Sequence, residues 1–185
     1  MQRSWRKDTD KLTFIACRPT DALNAESDSP CNMIGDINLF LRIDDGDDGT
    51  ASPKIIGEVE LMIAEKINQR RGFGKAALLV FMRYIVEKQE GILEEFVGGL
   101  DAEMKRRVRE KGVLELECLS VKIGQTNRRS LALFQGLGFV KVGEEPNFFG
   151  EFELRRVDLG VEGVEVEMGR AGVEGYEEAV YERRK

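Results

Sequence analysis

The stretch QRRGFGKA at residues 69–76 decides how the rest of the chain is interpreted. It follows an apolar run rich in strand formers and precedes apolar residues spaced 3.6 apart, which predicts a strand, a glycine loop and a helix in that order. Glycine lets the backbone approach a ligand closely, and the N–H groups at a helix N-terminus bind anions. Arg70, Arg71 and Lys75 add positive charge. The stretch therefore predicts a pyrophosphate site, and a glycine turn with surface arginines is the competing interpretation.

Two other phosphate-binding loops share features with this stretch. A Walker A loop requires Ser or Thr after its Gly-Lys pair, and Ala76 stands there instead. A dinucleotide-binding fingerprint fits formally from Gly72 onward, but it also requires an acid at the end of the next strand. The acids at the required distance, Glu94 and Glu95, fall in a segment with helical spacing. A dinucleotide-binding enzyme therefore stays open as the weaker alternative.

Charge and residue content exclude several classes of function. The 185 residues include 28 basic and 34 acidic side chains, a net charge of −6, which argues against nucleic acid as a partner. Histidine is absent, so His-based triads and His-ligated metals are excluded and no metal is expected. Cys17, Cys31 and Cys118 lack CxxC spacing and indicate reduced thiols in the cytoplasm or nucleus. No apolar run approaches the ~20 residues that span a bilayer, so no membrane partner is expected.

Alternating and periodic apolar residues divide the chain into the strands and helices of one mixed sheet. Three strands joined as antiparallel hairpins are expected first, at Lys11–Arg18, Met33–Ile43 and Lys54–Ala64. The helix after the glycine loop is expected at Gly72–Lys88. The later elements are expected to be a strand at Leu114–Ile123, a helix at Asn127–Leu137, and closing strands at Phe139–Val142 and Phe148–Val157. The fold class is therefore α/β (α+β), with helices packed on a mixed sheet.

Two segments do not fit this pattern. Residues 89–112 are charged and partly helical, and we interpret them as an inserted helical excursion. Residues 159–185 contain many glycines and glutamates and few large apolar side chains, so a charged, weakly ordered tail is expected. The folded domain is accordingly expected over residues 1–158.

Two motifs together resemble one superfamily. Residues 69–76 match the Q/R-x-x-G-x-G/A pyrophosphate loop of the GNAT acetyltransferases, and NRRSLALFQGLGF at residues 127–139 resembles a later helix of the same superfamily. Both motifs stand in the expected structural setting, which makes the pair more specific than either alone. Within the superfamily, MIGDINLFL at 33–41 and GEVELMIAE at 57–65 resemble the N-acetyltransferase 9-like branch.

The resemblance implies a mostly antiparallel sheet with one splayed parallel strand pair and flanking helices. It covers roughly residues 1–156, and the insertion and the tail lie outside it. GNAT folds usually have a strand and two helices before the strand at Lys11–Arg18. The chain begins MQRSWRKD, which resembles the end of the second of those helices, so the domain is expected to be N-terminally short.

The donor implied by the resemblance is acetyl-coenzyme A. Its pyrophosphate is expected on the amides of the glycine loop, and its pantetheine arm on the end of the preceding strand, where the parallel neighbour splays away. Asn127 is expected either to contact the arm or to serve only as a helix cap. The full set of expected coenzyme-binding residues is Met62, Ala64, Gln69, Arg70, Arg71, Gly72, Phe73, Gly74, Lys75, Asn127 and Ser130.

The acceptor implied by the resemblance is a primary amine, expected at a protein N-terminus or a lysine. Strand alternation places Glu58 and Glu60 on one face, roughly 7 Å apart, where their carboxylates repel each other. If that face lines a partly dry cleft, the pKa of one of them is expected to rise. Glu58 also matches the position of the base in lysine-acetylating members. These two residues are the expected catalytic bases, and a solvated strand face is the competing interpretation.

The route of the acetyl group has alternatives too. Phe134 stands where many members have a tyrosine that protonates the leaving thiolate, so no general acid is assigned. Cys118 lacks a histidine partner, so direct transfer is preferred to an acetyl-cysteine. The main alternative function is a catalytically weak coenzyme A-binding or interaction module. The oligomeric state is not predicted.

Overall fold

A computed structural model describes residues 7–20, 29–46, 49, 51–110, 112 and 114–178. Over this part of the chain it contains six strands and four α-helices. In chain order they are β1 (Lys11–Cys17), β2 (Met33–Asp44), β3 (Lys54–Ile63), α1 (Phe73–Gly99), α2 (Ala102–Arg109), β4 (Leu116–Gly124), α3 (Arg128–Gln135), β5 (Val140–Lys141), β6 (Glu151–Arg156) and α4 (Val161–Arg170).

The strands form one sheet in the order β1-β2-β3-β4-β6-β5. All neighbours are antiparallel except β3 and β4, which run parallel. The predicted hairpins β1–β2 and β2–β3 are confirmed, as is the mixed, mostly antiparallel sheet. Gly35 is required in β2 because a Cβ there would fall on the Met62 carbonyl oxygen of β3.

The parallel pair separates along its length. Pairing joins Ile55–Glu58 of β3 to Leu116–Ser120 of β4. Beyond Glu58 the two described strands continue without pairing to each other, since β3 runs on to Ile63 and β4 to Gly124. The predicted splayed pair is therefore confirmed, and it opens a wedge toward the C-terminal ends of both strands.

One face of the sheet and the helices share a single apolar core. Alternation directs Leu39, Val59, Leu119 and Leu154 to this face, and all four are buried. The apolar stripe predicted for the first helix packs on them through Leu78, Leu79, Met82 and Ile85. The glycine loop is thereby attached to a helix that is firmly packed on the sheet.

The first helix differs in length from the prediction. It was expected to end at Lys88, but α1 continues without a break to Gly99. The reason is that Leu93, Phe96 and Val97 keep the apolar stripe going and are buried in the same core. A separate helix, α2, then follows behind the Asp101 cap. Much of the segment interpreted as an insertion is thus part of the core helix.

The described part of the expected tail also differs from the prediction, because residues 161–170 form helix α4. Val164 and Met168 lie on one face of it and are buried in the core, a periodicity that composition alone did not reveal. Arg156 is buried and donates to Glu167 Oε2 of α4 at 2.6 Å and to the Leu137 carbonyl at 2.7 Å. The tail residues from 179 onward and the N-terminal residues 1–6 lie outside the described residues.

Candidate functional site

The glycine loop connects β3 to α1 through an unusual backbone path. After a short 3-10 turn at Lys66–Asn68, the φ angle is 61° at Arg70 and 88° at Gly72. Gly72 is the N-cap of α1 and supplies no side-chain cap. The Ala76 amide donates to the Gly72 carbonyl at 3.0 Å, so the preceding amides of the first turn have no helical acceptor. These amides form the start of an anion-binding site.

Gln69 attaches the loop to the end of β3. Its Nε2 donates to the Ile63 carbonyl at 2.9 Å, which holds the loop against the splayed end of the strand. Within the loop, the Arg71 guanidinium stacks 5.6 Å from the centre of the Phe73 ring. The loop is therefore held by its own side chains in the conformation that leaves its amides available.

A groove with a volume of about 500 Å³ lies where β3, the loop and the first turn of α3 meet. Most of the expected coenzyme-binding residues line it: Met62, Gln69, Arg70, Gly72, Gly74, Lys75, Asn127 and Ser130. The other three, Ala64, Arg71 and Phe73, are not among its lining residues. The Ala64 amide donates to the Ile34 carbonyl at 2.9 Å and is thus already engaged within the chain.

The groove also contains residues that sequence reasoning missed. Arg129 lies in the first turn of α3, where the helix-start rule could have identified it as a further positive charge. Asn68 gave no such signal, because it reads as an ordinary loop residue. It is only 1% exposed, its Nδ2 donates to Glu65 Oε2 at 3.3 Å, and its Oδ1 has no partner among the described residues. Within the described part of the chain, the groove therefore contains a buried acceptor that receives no hydrogen bond.

Asn127 is a helix cap that also lines the groove. Its Oδ1 accepts from the Ser130 amide at 3.2 Å, which confirms the capping interpretation of α3. The cap holds the first turn of α3 across the wedge from the glycine loop, so two helix N-termini border the same groove. The arrangement concentrates partial positive charge there.

The two candidate bases differ in their surroundings. Glu58 and Glu60 share a strand face, and Val59 between them is buried on the other. Glu58 stands at the last paired position of β3 and β4, and its Oε2 forms an ion pair with Lys122 Nζ at 2.8 Å. Glu60 lies two residues further along β3, in the part of the strand that is not paired with β4, and it is exposed. Glu58 must give up its ion pair to take a proton, whereas no described residue pairs with Glu60.

Phe134 and Cys118 lie in settings that argue against proton or acetyl transfer. Phe134 is buried and packs edge-on against Phe139, with ring centres 5.0 Å apart. Cys118 is buried in β4, and burial raises the pKa of its thiol, which disfavours the nucleophilic thiolate. The Cys118 setting disfavours an acetyl-cysteine intermediate, and the Phe134 ring has no proton to donate to a leaving thiolate.

The dinucleotide alternative meets a structural obstacle. Its ribose-binding acid must stand at the end of a strand, but Glu94 lies within α1 and forms an ion pair with Arg109 at 2.7 Å. Across the described ranges, no cluster of three or more metal-ligating side chains is arranged to hold an ion. None of the described helices combines the length and apolar character needed to cross a membrane.

No family model matches the chain. It is 32% identical over 182 residues to the N-acetyltransferase 9-like protein of Schizosaccharomyces pombe, a match that covers 84% of this chain and 75% of that protein. It is 34% identical over 157 residues to the alpha/beta-tubulin-N-acetyltransferase 9 of Drosophila melanogaster, with coverage of 84% and 63%. The chain thus spans a little under two thirds of the fly protein.

A solved structure supports the fold. It is a mutant AtaT toxin bound to the C-terminus of the antitoxin AtaR and acetyl-CoA, and it is 15% identical. The TM-score is 0.52, with 91% of this chain and 78% of that chain covered. The sheet with its splayed parallel pair, the glycine loop and the sequence relatives agree: the chain belongs to the N-acetyltransferase 9-like family of GNAT-fold acetyltransferases.

Proposed function

We propose that this protein transfers the acetyl group of acetyl-coenzyme A to a primary amine of a protein. The observation that carries the proposal is the continuity between the wedge and the groove. The strands separate beyond Glu58, and the glycine loop, with its available amides, borders the open end of that separation. A ligand with an anionic end and a long neutral arm matches this shape.

The residues of the groove fit the chemical parts of coenzyme A. Arg70, Lys75 and Arg129 line it and can neutralise a diphosphate together with the amides of the first turn of α1. Asn68 Oδ1, which has no partner in the described ranges, can accept an N–H from an amide, a group that the pantetheine arm carries twice. The coenzyme supplies the activated acetyl thioester, and the chain supplies its orientation.

The acceptor must be a neutral amine to attack the thioester. At pH 7 roughly a tenth of an α-amine is neutral, against well under a thousandth of a lysine side chain. In the proposed reaction Glu60 or Glu58 takes the proton, the amine nitrogen forms a bond to the acetyl carbon, and the carbon–sulfur bond breaks. The leaving thiolate needs no enzyme acid, because a thiol pKa near 8.5 permits it to leave or to be protonated by water.

Tubulin is the first acceptor that we propose. Relatives from fly, mouse and human carry the name alpha/beta-tubulin-N-acetyltransferase 9. The test is to incubate the full chain with purified tubulin dimers and isotopically labelled acetyl-coenzyme A, and to locate the label by mass spectrometry. Label on an N-terminal amine or on a lysine is the expected result, and its location distinguishes the two.

The alternative is a module that binds coenzyme A without turnover. It is favoured by the buried Phe134 at the position of the usual acid and by the ion pair that occupies Glu58. The labelling experiment, repeated with a cell extract and combined with calorimetry of acetyl-coenzyme A binding, separates the two functions. If calorimetry shows acetyl-coenzyme A binding while neither tubulin nor any protein of a cell extract takes up label, the transferase proposal is wrong and the module is supported.

A further inference from the structure

The sheet face opposite the core carries a cluster of acids around one asparagine. The register of β2 and β3 places Asn38 directly opposite Glu60, and Asp36 opposite Met62. Side chains at facing positions of paired strands lie on the same face, so Asp36, Asn38, Glu58 and Glu60 share it. Glu60 belongs to the splayed half of β3, so this cluster borders the wedge.

Asn38 is the member of this cluster that calls for an explanation. It is only 7% exposed, and its Nδ2 donates to Asp36 Oδ2 at 2.7 Å. That bond sets the orientation of the amide and leaves Oδ1 as a fixed acceptor. No described residue donates to Oδ1, including Thr13, which faces Asn38 from β1. An unpaired buried acceptor costs stability, so its partner is expected to be a group that binds there.

The chemistry of the neighbours restricts what this partner can be. The carboxylate oxygens of Asp36 and Glu60 are acceptors, and neither residue donates to Oδ1. Lys122, a described cation on the same face, is engaged by Glu58. The missing group must therefore bring its own N–H or O–H donor into a region of negative charge. A primary ammonium group has three N–H donors and no acceptor, and meets both requirements.

We propose that Asn38 Oδ1, together with the Glu60 carboxylate, binds the primary amine that is to be acetylated. The proposal rests on the transferase function given above and adds the residue that recognises the acceptor. A neutral amide oxygen accepts an N–H from the ammonium form and from the neutral amine alike. Asn38 therefore binds the amine nitrogen before and after a proton of the ammonium group passes to a carboxylate. An acid in place of Asn38 would favour the charged ammonium form and so oppose this proton transfer.

The proposal predicts selectivity by N–H count. A primary amine donates to both Oδ1 and Glu60, whereas a quaternary ammonium of the same charge donates to neither. Small cations therefore serve as probes even before the protein acceptor is identified. We choose ethylammonium chloride and tetramethylammonium chloride, because both bring the same charge and counterion.

The direct test is nuclear magnetic resonance on the ¹⁵N-labelled full chain. The side-chain amide signals of Asn38 are assigned by their loss in Asn38→Leu. We expect a saturable shift of these signals with ethylammonium and no comparable shift with tetramethylammonium. Equal shifts with both cations, or no shift with either, would overturn the proposal, and this holds whether or not acetyl transfer is detected.

A kinetic test follows once tubulin or another protein accepts the label. Asn38→Leu is expected to raise the KM for the acceptor by at least tenfold, the loss of roughly one charge-assisted hydrogen bond. The Kd of acetyl-coenzyme A is expected to stay within twofold. Thr13→Val, on the same face, is the matched control and is expected to leave both constants unchanged. A lower Tm with an unchanged KM would assign Asn38 a merely structural role.

Discussion

Two regions flank β3 and use it in different ways: the groove at its C-terminal end and the polar face that it shares with β2. The groove is made of backbone amides, two helix N-termini and three cations, and it suits a diphosphate. The polar face is made of side chains that meet only through strand register, and it suits an amine. Each region contains one buried asparagine whose Nδ2 is bonded to a nearby acid and whose Oδ1 is unpaired within the described chain.

The two regions depend on the amino-acid sequence in different ways. A loop motif is continuous in the chain, so its glycines and cations can be recognised directly. The polar face is assembled from two strands whose facing residues Asn38 and Glu60 are more than twenty positions apart in the chain, and its chemistry becomes visible only when the register of the strands is known. If the two regions are also separable in function, a change in the groove affects coenzyme binding and a change on the polar face affects the acceptor.

The largest effect is expected for Gly74→Glu. A Cβ at Gly74 would make ordinary contacts of 3.7 Å with Ile63 and Leu61, so the backbone tolerates a side chain there. A carboxylate at this place repels a diphosphate, and like charges that face each other cost several kcal/mol. We expect calorimetry to show a loss of acetyl-coenzyme A affinity on the order of a thousandfold.

Two variants control for the fold and for size. Gly91→Glu puts the same charge further along α1, where a Cβ meets nothing within 4 Å, and is expected to bind normally. Gly74→Ala is expected to stay within a few-fold of the unchanged protein. Unaltered affinity in Gly74→Glu would refute the assignment of the loop as a phosphate site.

The next effect concerns the acceptor side alone. Glu60→Gln is expected to lower kcat by about a hundredfold, the lower range for loss of a general base, with the acetyl-coenzyme A Kd unchanged. Glu58→Gln is expected to lower kcat less, because Glu58 is already engaged in an ion pair with Lys122. Steady-state rates with the labelled acceptor measure both. If both variants turn over like the unchanged protein, neither glutamate is the base.

A smaller effect is expected on the strand packing that the two regions share. Gly35→Ala pushes a Cβ onto the Met62 carbonyl, so β2 and β3 must move apart at the end that borders both regions. We expect the free energy of unfolding to fall by about 2 kcal/mol, as for other overpacked sites, measured by urea denaturation. Gly124→Ala, where a Cβ meets nothing within 4 Å, should change it little. Equal stability of both variants would contradict this view of the contact.

The smallest effect is expected for Asn68→Ala. Removal of its Oδ1 takes one neutral acceptor from the groove, which corresponds to roughly a fivefold to tenfold weaker acetyl-coenzyme A affinity. The KM for the acceptor should not change. If Asn68→Ala raised the KM for the acceptor and left the Kd of acetyl-coenzyme A unchanged, the roles assigned to Asn68 and Asn38 would have to be exchanged.

Much of the fold could be predicted because its signals are local. The glycine loop, the stripe from Leu78 to Ile85 and the Asn127 cap all depend on neighbours within a few residues, and the structure has them where the pattern predicted. Helix α4 could not be predicted, because the many glycines in and around it indicate a poorly ordered segment. The helix is stabilised by Val164 and Met168, which pack in the core with α1. These contacts join residues far apart in the chain, so the local sequence does not indicate them.

The candidate site also has one part that local sequence predicts and one part that it does not. Five residues of the groove, Gln69, Arg70, Gly72, Gly74 and Lys75, could be predicted from the motif. The ion pair of Glu58 with Lys122 and the burial of Asn38 follow from strands that are distant in sequence. Asn38 alternates with apolar neighbours like any outward-facing strand residue, so its sequence context predicts exposure rather than the buried state that the structure has.

The buried guanidinium of Arg156 has a consequence for how the chain withstands proteases. It joins the carbonyls of Leu137 and Asp158 and the carboxylate of Glu167, and so connects the loop after α3, the end of β6 and α4. Removal of one partner of such a buried charge leaves the others without compensation. A cut between β6 and α4 should therefore not release a stable shortened core, and limited digestion should proceed from the intact chain to small fragments without a lasting intermediate.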